Sequence, residues 1–129
     1  MSSILTGSFV KAYFPTSEQP RVPGLLHIVY VLVVAKAYAV VAYTTSKSWD
    51  GENLPLGARV FTEAEARALN QRCAFIMRLD RLARLPITRE WFPDGGTIAA
   101  AGPRLQAELE AQAQMLLKRH RENVVMLGR

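Results

Sequence analysis

The chain has 129 residues and a formal net charge of +5, with half of its residues hydrophobic and 21% charged. That length holds one domain with a real core rather than two, and so large an apolar share excludes a disordered chain. The single cysteine, Cys73, excludes an intramolecular disulfide and any cysteine-based zinc cluster, and the positive balance suits a partner that carries phosphates.

The first residues, MSSILTGSFVKAYF, have no basic start leading into a long apolar run and a small-residue cleavage site, so they do not read as a signal peptide and a cytoplasmic protein is expected. Gly7 to Phe14 is predicted as a short first strand, ended by Pro15. The next stretch, TSEQPRVPG, contains the breakers Pro20, Pro23 and Gly24 and is predicted as a loop of about ten residues. Such a loop serves either as a substrate lip or as a plain connection, and Arg21 is its only basic residue.

Leu25 to Ser46, LLHIVYVLVVAKAYAVVAYTTS, holds most of the aliphatic mass of the first half. Only His27 and Lys36 in it are basic or acidic, so it must be buried, in lipid or in protein. Leu25 to Tyr43 is long enough to cross a bilayer, but a lysine at bilayer depth is costly and the residues are β-branched and aromatic. The protein reading breaks the run at Ala35-Lys36-Ala37 into strands His27 to Val34 and Tyr38 to Thr45, paired as an antiparallel hairpin with no membrane contact.

Lys47 to Pro55 is polar and rich in turn formers. Trp49 within it either stacks on a base or packs on its own domain. Thr62-Glu63-Ala64-Glu65 is a capping box that predicts a short helix from Glu63 to about Asn70. In RCAFIMRLDRLAR, from Arg72 to Arg84, Phe75, Met77 and Leu79 alternate as in a strand, while Ile76, Leu79, Leu82 and Ala83 would share a helix face; a strand to about Leu79 is expected. Ile87 to Phe92 reads as a last short strand or a helical turn. Pro103 then opens a segment dense in helix formers, predicted as a helix to about residue 126, with an apolar stripe through Leu105, Leu109, Met115, Leu116 and Leu117. A helix of that length lies across a sheet or mediates self-association. Basic residues gather at Arg72, Arg78, Arg81, Arg84 and Arg89 and again at Lys118, Arg119 and Arg121, either as solvated faces or as contacts to phosphates.

The order of these landmarks carries a likeness. A first strand ending in Phe14-Pro15, a loop closing at Pro23-Gly24, an aliphatic strand, a second strand ending in Tyr43-Thr44-Thr45-Ser46-Lys47 and a later Leu85-Pro86 together resemble the MazF/PemK toxin family, in its PemK-like branch, over about residues 7–92. The resemblance implies an SH3-like β-barrel, mainly β with added helices (α+β), with the C-terminal helix at about 103–126 added to it in a single domain. It also implies a homodimer, an antitoxin-like protein partner and cleavage of single-stranded RNA without metal or other cofactor. Family members place an Arg-Pro pair at the start of the second strand and a Thr or Ser at the end of the third. Here His27-Ile28 stands at the first position and Thr45-Ser46 at the second.

The chemistry of that cleavage asks for a proton acceptor beside the ribose 2′-OH and fixed donors for the negative charge that develops on phosphate. A histidine titrates near neutral pH, so His27 is expected to act as base or acid, with Thr45 and Arg21 completing the expected catalytic set. Ser46, Lys47, Trp49, Arg78 and Arg81 are expected to contact RNA. The alternative is a non-catalytic module of the same fold, binding nucleic acid or protein, in which His27 is a structural strand residue. Two histidines and one cysteine offer no transition-metal spacing, and there is no phosphate-cradling glycine loop or nucleophile elbow.

Overall fold

The computed structural model of the chain describes residues 4–46, 54–93 and 96–128. The first strand, β1 (Ser8–Phe14), stops where Pro15 removes the next backbone donor. The long apolar run breaks at Ala35-Lys36-Ala37. Strands β2 (Leu25–Val34) and β3 (Tyr38–Thr45) pair antiparallel, and the Ala35 N–H donates to the Tyr38 carbonyl at 2.8 Å across the turn. Both faces of this hairpin carry core residues, which is why its sequence shows little polar alternation. Lys36 sits exposed at the tip. No helix among the described residues is long and apolar enough to cross a membrane.

The rest of the chain builds on this hairpin. Strand β4 (Ala58–Phe61) leads into helix α1 (Glu63–Ala68), then come β5 (Phe75–Pro86), β6 (Thr97–Ala100), the main helix α2 (Pro103–Arg119) and β7 (Val125–Gly128). The strands form one sheet in the order β4-β5-β3-β2-β1-β6, antiparallel throughout, with β7 added in parallel along the second half of β5. The sheet curls into a half-barrel, and the protein is of the α+β class.

Helix α1 starts as its sequence predicts. The Thr62 hydroxyl accepts from the Glu65 N–H, and the Glu65 carboxylate accepts from the Thr62 N–H. That backbone hydrogen bond from Thr62 is the main cause holding the Glu65 carboxyl below the usual carboxylate range. The helix ends with Asn70 in the left-handed region (φ 59°), its N–H bonded to the Arg67 carbonyl and the Gln71 N–H to the Ala66 carbonyl.

Two expectations are corrected, for β5 and for α2, and the open reading of residues 87–92 resolves to a turn. Strand β5 continues past Leu79 to Pro86. Residues 87–92 hold a helical turn, with the Phe92 N–H donating to the Thr88 carbonyl at 2.8 Å. Helix α2 ends at Arg119 rather than near residue 126. The chain turns through Arg121–Asn123 and then runs extended beside β5, where Leu127 is buried. Pairing with β5 and burial of Leu127 outweigh the modest helix propensity of the Val-Val-Met-Leu segment. The sheet therefore draws strands from beyond residue 92.

Each face of the sheet has its own core. On one face Val10, Phe14, Val29, Val31, Val41 and Leu85 are closed over by Trp91, Phe92 and Leu127. On the other, Phe9, Tyr30, Phe75, Met77 and Leu82 are covered by Leu109, Ala113 and Leu116 of α2, spaced as one helical stripe, and by Ala66 and Leu69. Phe61 and Phe75 stack at 4.5 Å between ring centroids, and Phe9 meets both edge-on at 6.4 and 6.2 Å. The main helix thus lies across the sheet.

Candidate functional site

The site begins with an irregularity in β5. Ala42 of β3 faces Leu82, but the next residue, Tyr43, faces Arg78, so residues 79–81 stand out as a bulge. It falls where the outer neighbour of β5 changes from β4, which pairs as far as Arg78, to β7, which pairs from Arg81. The Leu79 N–H still finds the Gly57 carbonyl at 2.9 Å. A Cβ at Gly57 would lie 2.6 Å from the Asp80 backbone nitrogen, so the close approach requires glycine there.

The bulge sorts two arginines. Asp80 turns inward, only 7% exposed, and accepts both arms of the Arg78 guanidinium at 2.8 and 2.9 Å. The bond to Asp80 raises the Arg78 pKa above the ordinary guanidinium value despite partial burial. Arg81 takes the other course. Unbroken alternation would set it on the α2 face with Met77 and Leu79; instead its guanidinium lies over the Tyr43 ring, 4.9 Å from the centroid, with no carboxylate partner among the described residues.

Tyr43 is the hub of the site. Its ring meets the His27 imidazole of the neighbouring β2 at 4.8 Å edge-to-face, and Phe14 of β1, one strand further, at 5.1 Å. Beside it opens a groove of about 270 Å³. It is lined by Tyr43, His27 and Arg81, by the buried Phe14 and the exposed Leu25, and by residues 15–18 as a lip bearing the Thr16 and Ser17 hydroxyls and the Glu18 carboxylate. The lip is folded on itself. The Thr16 hydroxyl accepts from the Gln19 N–H at 3.1 Å, and Gly24 lies against the Phe14 carbonyl, so the loop returns beside its own start.

Of the residues read from the sequence, His27 and Arg81 meet in this groove. Thr45 projects from the same face of β3 as Tyr43, half-buried, outside the groove lining, and the hydroxyl that is fully buried is that of Thr44, which donates to the Ile28 carbonyl. Arg21 is exposed at the far turn of the loop, also outside the lining, and Ser46 is exposed just past β3. Arg78 is held by Asp80. Lys47 and Trp49 lie outside the described residues. Sequence reasoning passed over Glu18, Thr16 and Ser17 as individuals, although the loop that carries them was legible as a lip, and it saw Tyr43 only as part of a strand ending.

The groove offers a guanidinium, an imidazole, a carboxylate and two hydroxyls around an aromatic ring. These are groups that hold a phosphate and move a proton at it. Among the described residues no three His, Cys, Asp or Glu side chains gather as a metal-ligating set. Comparison with protein-family models and with curated proteins gave no match.

Proposed function

We propose that the chain is an endoribonuclease of MazF/PemK type, an SH3-like barrel with an added helix, that cleaves single-stranded RNA without a metal at the groove beside Tyr43. The observation that carries this reading is the meeting of His27 and Arg81 on one Tyr43 ring in an open groove. In the reaction the ribose 2′-oxygen attacks the adjacent phosphorus. The bond from phosphorus to O5′ breaks, leaving a 2′,3′-cyclic phosphate and a 5′-hydroxyl. One proton leaves the 2′-OH and one reaches O5′, and His27 and Glu18 are the groove's acid–base pair for these transfers. Arg81 faces the phosphate, where its fixed charge offsets the negative charge that builds in the transition state. The same reading carries a cytoplasmic homodimer restrained by an antitoxin-like protein.

A second reading, a nucleic-acid-binding module without catalysis, is favoured by one observation: Arg21 and Thr45 stay outside the groove that holds His27. Incubating the purified protein with a long single-stranded RNA in the presence of chelator separates the two. The expected outcome is cleavage to products ending in cyclic phosphate, slowed about 10²-fold or more in His27→Ala and in Arg81→Ala. Cleavage that survives both substitutions overturns the assignment, and a folded protein that binds the RNA without cutting it transfers the conclusion to the module.

A further inference from the structure

The Arg81–Tyr43 stack has a counterpart at the other end of the same strand pair. Arg84 lies over the Tyr38 ring, 4.8 Å from its centroid. Arg84 is opposite Val40, and Val40 is opposite Val33, so all three share one face with Tyr38 and Pro86. It is the face that α2 covers further along, since Val40 packs at the margin of the α2 core and Met126 stands beside Leu82 of that core. The helix does not reach this end. Val33 is 52% and Met126 45% exposed, and a groove of about 360 Å³ opens between Ala37, Tyr38, Arg84 and Pro86. Arg84 lines it, Lys36 stands exposed at the hairpin tip next to Ala37 in sequence, and neither has a carboxylate partner among the described residues.

We infer that this face docks a segment of another protein that presents apolar side chains alternating with carboxylates. The apolar side chains cover Val33, Val40 and Met126 and fill the groove beside Tyr38, and the carboxylates meet Arg84 and Lys36. Charge decides against a second copy of this chain. A two-fold pairing of the face with itself would bring the same cations together with no acidic residue among them. Composition decides against RNA, because the surface is mainly aliphatic and Arg84 is the one cation lining its groove among the described residues. The inference is independent of any cleavage activity, since it concerns the opposite face and the opposite end of β3.

The test uses isotope-labelled full chain and three probes: a capped peptide of alternating glutamate and leucine, its lysine–leucine counterpart, and a hexauridylate. Backbone amide shifts are followed by NMR. The acidic peptide is expected to move the amides of Val33, Tyr38, Val40 and Arg84 saturably, with at least a tenfold loss of affinity in Arg84→Glu and in Val33→Asp. Both side chains are exposed, so the variants are expected to keep the wild-type spectrum elsewhere. The inference is overturned if the acidic peptide does not bind at millimolar concentration or moves other amides, or if the lysine peptide binds equally. Hexauridylate moving the same amides would assign the face to nucleic acid, and dilution alone moving them would assign it to self-association.

Discussion

On the α2 side of the sheet, the rings of Phe9, Phe61 and Phe75 meet one another and are almost fully buried, whereas at the groove the ring of Tyr43 meets an imidazole and a guanidinium and stays half-exposed. The same kind of residue on the same kind of strand thus does two jobs. Where the neighbours are carbon, the ring contributes area removed from water, and its loss leaves a cavity. Where they are ionisable, it contributes a surface on which charged groups are held in place, and its neighbours can be removed with little structural cost. Stability and chemistry are therefore predicted to separate between the two ring clusters.

The largest expected contrast is between Phe9→Ala and Arg81→Ala in urea denaturation. The first lowers unfolding free energy by about 3–5 kcal/mol, and the second by less than about 0.5 kcal/mol. Comparable losses would break the division between the two clusters. A smaller effect is expected at their junction. Asp80→Ala leaves Arg78 partly buried without its acceptor and is expected to cost about 1–3 kcal/mol, most of it recovered in a double variant, Arg78→Met with Asp80→Leu, that removes both charges. Failure of that recovery would show that the bulge depends on the ion pair itself.

The smallest effect shows only as a loss at alkaline pH. Burial on the α2 side, with a contribution from the nearby Glu110 charge, pushes the Tyr30 phenol up to about 12 from its ordinary 10.0. Because the folded pKa lies above the unfolded one, the contribution of Tyr30 to stability is complete below pH 10 and is lost as pH rises toward 12. Tyrosinate absorbance titrations of wild type and Tyr30→Phe check this: the absorbance missing from the variant is expected to be the late-rising part.

The hairpin and the capping box were legible because each is a local pattern, a broken apolar run in one case and a reciprocal pair four residues long in the other. The strands β4, β6 and β7 were not, since each spans four residues, too few to establish a period, and β7 exists only by pairing with a strand about forty positions earlier. The mixed reading of residues 72–84 has a structural cause. Phe75, Met77 and Leu79 alternate toward α2, and then the bulge resets the phase so that Leu82 joins them while Ala83 and Leu85 face the other core. A helix-like spacing of Leu79 and Leu82 is what a three-residue bulge writes into a strand. At the site, His27 and Arg81 were legible as ionisable groups in apolar or basic surroundings. The choice between Arg78 and Arg81 was not, because it turns on Arg78 standing before the bulge and Arg81 within it.

That bulge also separates what the sheet needs from what the groove needs. A version of β5 lacking residues 79–81 would step from Arg78 to Leu82 with every later side chain on the face it now occupies, since Arg78 and Leu82 already face consecutive residues of β3. It would lose one core leucine and keep both cores otherwise intact. What would disappear is the inward carboxylate that ties up one arginine and the outward guanidinium beside His27. The cation of the groove thus rests on three residues that a regular strand would not contain, and the sheet on either side of them stays in register without them.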